Sequence, residues 1–340
     1  MTDMVDHLRS WTYERQRLGR AAPDAAAALR DIIAVYSAHP SAPLSLHART
    51  KNLTATAFRR LDVLRLPSMR QSLHLLPADT AHLAFRAVPE PAARSARRLK
   101  TFGLTDESYA ELREAVLAAT ANEPRTSKEL REATGAGKAL PAVISMMSRE
   151  GVLVRIGADG LRSNELRYVA TDVAEADADE ALAWLAGEYL RAFGPTRAAD
   201  FKWWAGTSAK RANQALASVD TEELDGGLLV RAQDRAAFER PRTPLSGAVD
   251  LLPKWDAYTM GLAPDGRDRF AHPDIVADLY EKSGDGRPVI LVDGAAAGVW
   301  SVKAGKGDAI DVDLEPFEKP AKKLQAALDE RAEAVKAFLV

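Results

Sequence analysis

Gly151-Val152-Leu153-Val154-Arg155-Ile156 and, beyond a polar tip from Gly157 to Asn164, Leu166-Arg167-Tyr168-Val169 form the stretch that decides the fold. Two apolar, β-branched runs on either side of a Gly- and Ser-containing tip read as a β-hairpin. What precedes it is helical. Glu107 to Ala121 is amphipathic, Thr126-Ser127-Lys128-Glu129-Leu130 carries the polar residues of a helix start, and Ala139 to Glu150 sets Leu140, Val143, Ile144 and Met147 at helical spacing. Gly135 stops the second helix and Gly151 turns the chain out of the third. Three helices followed by a hairpin is the pattern of a winged helix.

The pattern recurs on both sides of this stretch. Downstream, Leu182, Leu185, Ala186, Tyr189, Leu190 and Phe193 predict a helix that ends at Gly194-Pro195. Thr196 to Phe201 mirrors the Thr126 start, Ser208 to Val219 supplies a third helix, and Leu224 to Val230 a hairpin with Gly226-Gly227 at its tip. Upstream, helices over Val5–Arg17, Ala25–Ser37 and Thr54–Asp62 lead to an extended segment from Leu66 to Leu76, with a less obvious hairpin. From about Leu245 short β-like runs (Val249 to Leu252, Val289 to Val292, Gly298 to Val302, Ile310 to Leu314) predict a small barrel or sheet, closed by an amphipathic helix over Lys319–Leu339. The expected fold is α+β: tandem winged-helix (helix-turn-helix) domains over 1–105, 106–172 and 173–244, then a small C-terminal β-barrel and terminal helix over 245–340.

Composition narrows the chemistry. The 340 residues are 46% hydrophobic and 28% charged, which suits several packed units and argues against disorder. With no cysteine, disulfides, a thiolate nucleophile and cysteine-ligated zinc or iron–sulfur centres are excluded. The six histidines lack metal-ligand spacing, so neither a metal nor a cofactor is expected. Met1 to Arg20 has no signal-peptide core, and nowhere do 18 apolar residues run together. The expected compartment is therefore the cytoplasm, close to the nucleoid, with no membrane contact. The charge is polarised: residues 1–170 hold 25 Lys/Arg against 18 Asp/Glu, a net of +7, whereas residues 171–340 hold 21 against 30, a net of −9. A basic half with Arg59, Arg60, Arg65, Arg70, Arg94, Arg97, Arg98 and Lys100 suits a surface that tracks phosphates, although paired charges on a solvated face would look the same.

Three segments are more specific. Glu188-Tyr189-Leu190-Arg191-Ala192-Phe193-Gly194-Pro195-Thr196-Arg197-Ala198-Ala199-Asp200-Phe201-Lys202-Trp203-Trp204-Ala205-Gly206, Val249-Asp250-Leu251-Leu252-Pro253-Lys254-Trp255-Asp256-Ala257-Tyr258 and Arg287-Pro288-Val289-Ile290-Leu291-Val292-Asp293-Gly294 resemble the bacterial winged-helix DNA glycosylases of the AlkZ/YcaQ type, from about Trp11 to Val302. The resemblance implies tandem winged helices around a DNA channel. It also implies a catalytic pair, Gln-x-Gln or Gln-x-Asp in the family, near the end of an N-terminal helix. Here that position reads Tyr36-Ser37-Ala38-His39-Pro40, which places Ser37 and His39 on the two polar sites; a shift of one residue would place Tyr36 and Ala38 there. Arg70-Gln71-Ser72-Leu73-His74-Leu75-Leu76-Pro77 resembles the family's Arg-x-x-Leu-His-Leu-Val segment, expected as a strand near the lesion.

Hydrolysis of an N-glycosidic bond passes through an oxocarbenium-like sugar. It needs a base to orient water and negative charge or dipoles near the anomeric carbon. His39, whose imidazole ordinarily titrates near ~6.5, is the expected base. Ser37 would hold the water or a phosphate, and Asp256 would orient His39 or stabilise the sugar cation. Tyr36, Arg49, Arg70, His74 and Trp255 are expected DNA contacts, the last through stacking or else barrel packing. Trp11, Arg15, Lys51 and Arg59 join them, with helix packing or a surface ion pair as the ordinary alternative for Trp11 and Arg15. Lys51 is also the formal candidate for Schiff-base lyase chemistry, for which nothing around it argues. The expected activity is a monomeric, monofunctional DNA glycosylase on double-stranded DNA with a damaged purine, either deaminated or N7-alkylated, needing no obligatory protein partner. The alternative is an inactive winged-helix binder or transcriptional regulator.

Overall fold

The computed structural model describes residues 2–37, 41–157, 160–163, 165–304 and 310–340. Its strands are β1 (Val35–Tyr36), β2 (Val63–Pro67), β3 (Leu73–Pro77), β4 (Arg125–Thr126), β5 (Leu153–Gly157), β6 (Leu166–Ala170), β7 (Thr221–Leu224), β8 (Leu228–Arg231), β9 (Val249–Leu252), β10 (Val289–Val292), β11 (Ala295–Ala304) and β12 (Ile310–Pro316). They form three antiparallel sheets in the orders β1-β3-β2-β5-β6-β4, β7-β8 and β12-β11-β10-β9. Helices Asp106–Thr120, Ser127–Thr134 and Leu140–Glu150 precede the β5–β6 hairpin, and Ala178–Phe193, Ala198–Ala205 and Ala209–Ala217 precede β7–β8.

The local chemistry is that of the sequence signals. Thr126 and Glu129 form a reciprocal capping box, satisfying two of the orphan N–H groups at the helix start. Gly135 and Gly151 end their helices in the left-handed conformation, at φ 65° and 84°, where a side chain would cost energy. In the N-terminal part the chain departs from expectation. The predicted helix over Ala25–Ser37 stops at Asp31; Ile33 takes φ 71°, and Val35–Tyr36 continue as a strand on β3 in the register Val35↔Leu75 and Tyr36↔His74. The β-branched run Ile32-Ile33 and Val35 favours extended backbone once β3 is available to pair with it. The less obvious hairpin of this region is real: β2 and β3 pair from Val63↔Pro77 to Pro67↔Leu73 around a tight 3-10 turn at Met69–Gln71.

The expected C-terminal β-barrel is corrected to an open sheet. Among the described residues β9 and β12 are its edges and do not pair. Helix Lys322–Leu339 lies over the sheet instead: Leu328, Ala332, Val335 and Phe338 pack with Val249, Leu251, Ile290, Trp300 and Val312. A helix with an apolar stripe covers one face of a sheet as effectively as closure does.

Two cores tie the N-terminal part to the rest. Ile33, Leu66, Met69 and Leu76 pack with Leu185, Tyr189, Phe193, Phe201 and Trp204, while Leu29, Val35, Leu46 and Leu75 pack into the C-terminal sheet. Strand β1 is therefore held between elements that come from opposite ends of the chain. Among the described residues no helix is long and apolar enough to cross a membrane.

Candidate active site and nucleic-acid face

Because side chains alternate along a strand, Tyr36 and Ser37 leave β1 on opposite faces. Ser37 continues the ladder, its N–H donating to the Leu73 carbonyl at 2.8 Å, and it is nearly buried. Its Oγ accepts from Nε of Arg65 on β2 at 2.8 Å, which leaves the hydroxyl proton to donate outward. Arg65 has no carboxylate partner among the described residues. Its cross-strand neighbour in the β2–β5 pair is Arg155, a second cation, whose Nε is buried without a hydrogen-bond partner. A Cβ on Gly157 would come 2.8 Å from Nη2 of Arg65, so glycine at the end of β5 makes room for that guanidinium. Ser37 is thus backed by positive charge that no carboxylate among the described residues pairs with. Burial lowers the pKa of both arginines, the signature of cations held partly out of water.

Ala38, His39 and Pro40 lie outside the described residues, and with them the expected base and one half of the alternative register. The chain resumes at Ser41 and enters helix Ala42–Arg49, whose anchoring is clear. Arg49 is fully buried and makes a bidentate pair with Asp256, at 2.8 Å from Nη1 and 2.7 Å from Nη2. The same carboxylate accepts from the Ser45 hydroxyl and from the Tyr258 N–H. Arg49 therefore cannot reach a phosphate, and Asp256 has no exposed oxygen to offer a sugar. Both were expected at the DNA channel; burial and mutual satisfaction make them the clamp that fixes helix Ala42–Arg49. Trp11 is likewise removed from DNA. It is 4% exposed, donates from Nε1 to the Gly194 carbonyl at 2.8 Å, and is flanked by Arg15 and Arg242 at 4.4 and 4.5 Å from its ring centroid. Arg15 pairs with Asp234. Lys51 and Arg59 are exposed.

The other face of β1 opens on a cavity of about 380 Å³ that gathers four of the expected site residues: Tyr36, Arg70, His74 and Trp255. Tyr36 packs against Trp255 with ring centroids 4.4 Å apart and against the edge of His74 at 5.9 Å. His74 Nδ1 lies 3.0 Å from both Ser68 Oγ and the Ser72 carbonyl, which identifies it as the protonated nitrogen. Burial, aided by the charge of Arg70, lowers the His74 pKa to about 3, so this histidine is a neutral imidazole and not a base that titrates near neutrality. Arg70, Gln71 and Trp255 take φ values of 54°, 59° and 60°, unusual for residues with side chains. The Arg70 turn is held there by close approach, since a Cβ on Gly206 at the end of helix Ala198–Ala205 would lie 2.8 Å from Arg70 Cα. Arg70 and Trp255, two residues with left-handed backbone, both line the cavity, as happens where the surrounding packing over-determines a site.

Trp203 and Trp204 both line this cavity. Trp204 is buried in the core with Tyr189 and Phe193, whereas Trp203 is half-buried and carries Arg70 over its ring at 4.3 Å. The sequence placed Arg65 only among the cations of a phosphate-tracking surface, and carried no signal that Arg155 or Arg267 would stand at a site.

A family model for the DNA glycosylase AlkZ-like proteins matches residues 31–338, nearly the whole chain. This chain belongs to the AlkZ-like DNA glycosylase family. The solved structure of Streptomyces sahachiroi DNA glycosylase AlkZ is similar to it, with a TM-score of 0.76 and 19% identity over 98% of this chain and 96% of that one. At that identity the likeness speaks for the fold, a mixed α/β arrangement shared from end to end. No curated protein matches the sequence. Of the two residues expected at the family's catalytic pair, the structure describes Ser37, at the tip of β1 beside Arg65.

Proposed function

We propose that this AlkZ-like protein is a monofunctional DNA glycosylase that hydrolyses the N-glycosidic bond of a damaged purine and leaves an abasic site. The observation that supports the reading is Ser37, held at the end of a short strand by Arg65, which has no carboxylate partner among the described residues; Ser37 is taken as the first polar position of the family's catalytic pair. The three helix–hairpin units are taken as winged helices that track the duplex, with Arg65, Arg155 and the exposed cations of helix Ala92–Thr101 toward the phosphates. His39 acts as general base on a water that the Ser37 hydroxyl helps to orient. Asp256 serves by positioning: through Arg49 and Ser45 it fixes helix Ala42–Arg49, which follows His39 in the sequence. A neutral lesion such as hypoxanthine fits a base of imidazole strength better than a cationic alkylpurine, which departs with little assistance.

The test incubates the protein with duplexes bearing hypoxanthine, N7-methylguanine or uracil, then heats them in alkali to break abasic strands. Strand breaks with a purine lesion are expected, and His39→Ala should lower their rate by at least about 100-fold with DNA affinity kept within a few-fold. No breaks with any lesion, together with equal affinity for undamaged duplex, would replace the enzyme by the regulator or binder reading. Equal turnover of the variant and the parent would remove His39 from the mechanism. A steep fall of DNA affinity with salt is expected from several phosphate contacts.

A further inference from the structure

The cavity behind Tyr36 holds a second arginine that nothing in the cleavage reaction uses. Arg267 is 6% exposed and lines the cavity; its guanidinium lies over Tyr280 at 3.4 Å and 5.7 Å from the Trp203 ring, and among the described residues no carboxylate pairs with it. Arg70, 4.3 Å from the centroid of the same Trp203 ring, has no carboxylate partner among the described residues either. The Nε atoms of both are buried without a hydrogen-bond partner. Each cation is held out of water, and the charge of Arg267 further lowers the Arg70 pKa. A buried and a half-buried guanidinium in mutual repulsion, each with its Nε–H unused, are costly for a fold to keep. An anion placed between them removes the repulsion and satisfies the donors, and planar guanidinium forks match phosphate oxygens.

The remaining walls specify more than an anion. Tyr36, Trp203 and Trp255 surround the arginines with aromatic rings, and Asp285 supplies an acceptor already oriented by the Trp255 N–H at 3.1 Å and the Ser283 hydroxyl at 3.1 Å. The two arginines against one aspartate leave the lining at a net positive charge, His74 being neutral. A volume of about 380 Å³ is far larger than inorganic phosphate requires and falls in the range of small-ligand pockets. The left-handed backbone at Arg70 and Trp255 brings both side chains to this one space.

We infer that the cavity is a binding site for a nucleoside monophosphate unit, with the phosphate on Arg70 and Arg267 and the base among Tyr36, Trp203 and Trp255. The unit can arrive as a free nucleotide or as one residue of a DNA strand. The site is read from its own lining and not from the cleavage reaction. A protein that cleaves but does not bind nucleotides would therefore lose this inference alone, and one that binds them but does not cleave would lose the glycosylase reading alone.

The experiment titrates the full chain with each deoxynucleoside 5′-monophosphate and follows tryptophan fluorescence and binding heat. Saturable binding is expected, with the unphosphorylated deoxynucleoside and inorganic phosphate each weaker by about ten-fold or more, as expected for a charge-assisted pair and a stacked ring. Arg267→Met and Arg70→Met should each weaken the nucleotide by at least about ten-fold. Arg267→Met should do so with the melting temperature of the unliganded protein changed by no more than about 3 °C, which a purely structural arginine would not allow. Absence of saturable binding by the parent protein would overturn the inference. So would equal affinity for deoxynucleoside and monophosphate, or unchanged affinity in both variants. A short single-stranded oligonucleotide that displaces the nucleotide assigns the site to a DNA strand, and one that does not assigns it to the free nucleotide; either result is consistent with the site.

Discussion

Arg49 and Arg267 are both shut away from solvent, at 0% and 6% exposure, yet they are treated oppositely by the fold. Arg49 donates to both oxygens of Asp256, to the Ser45 carbonyl and to the Gln16 carbonyl, so its donors are spent within the protein. Arg267 lies against the aromatic faces of Trp203 and Tyr280, has no carboxylate partner among the described residues, and shares its cavity with a second such cation, Arg70. The difference separates an arginine that holds a helix in place from one whose partner must come from outside. Burial alone would have classed them together. The inventory of acceptors around each guanidinium divides them.

Breaking the satisfied pair is the largest effect expected. Arg49→Met or Asp256→Asn leaves one member of a buried ion pair uncompensated and should cost about 3–5 kcal/mol of unfolding free energy, read by urea denaturation. A loss below about 1 kcal/mol would mean that the pair is no clamp.

Each region also has a buried histidine, and pH addresses the two together. His47, on the Arg49 helix, is lowered to about 4 by burial and by Arg20, and His74, beside Arg70, to about 3. Both folded values lie below the ordinary ~6.5. Above that pH both rings are neutral in either state and stability is full. As pH falls below it, the unfolded chain takes up protons that the fold refuses. Stability should then decline by about 1.4 kcal/mol per pH unit for each histidine, the loss ending near the two folded values. A denaturation midpoint that is flat between pH 7 and 5 would contradict the burial of both rings.

Smaller changes sharpen the contrast. Ser37→Ala removes the acceptor that Arg65 uses and should cost about 1 kcal/mol, by urea denaturation, while DNA affinity stays within a few-fold. Arg267→Met is expected to change stability least, by less than about 1 kcal/mol in either direction, because replacing a buried unpaired cation by an apolar side chain of similar length removes desolvation as well as packing. A loss as large as that of Arg49→Met would place the two arginines in the same structural class.

Much of the chain could be read without coordinates. The capping box at Thr126, the glycine stops at 135 and 151, and the hairpin tips are signals a few residues long, and their physics is local. Harder was the segment at Val35–Tyr36. Its helical start is capped by Asp24, but its strand exists only because β3, some forty residues on, offers a partner. The closed barrel failed for the same reason in reverse: four strands looked complete by pattern, and a helix eighteen residues long covered the face instead.

For the site the division is sharper. Tyr36, Arg70, His74 and Trp255 were all legible as residues of interest and do meet at one cavity. Arg49 and Asp256 were legible too, but as DNA contacts, because sequence shows a charge without showing its partner. The sequence by itself determined which segments are helices and hairpins, where they are capped, and that the basic half is the first. Tertiary structure alone decided which arginines found a carboxylate and which did not, because a guanidinium's partner lies across the fold, as Asp256 lies 207 residues beyond Arg49, where no local spacing can encode it.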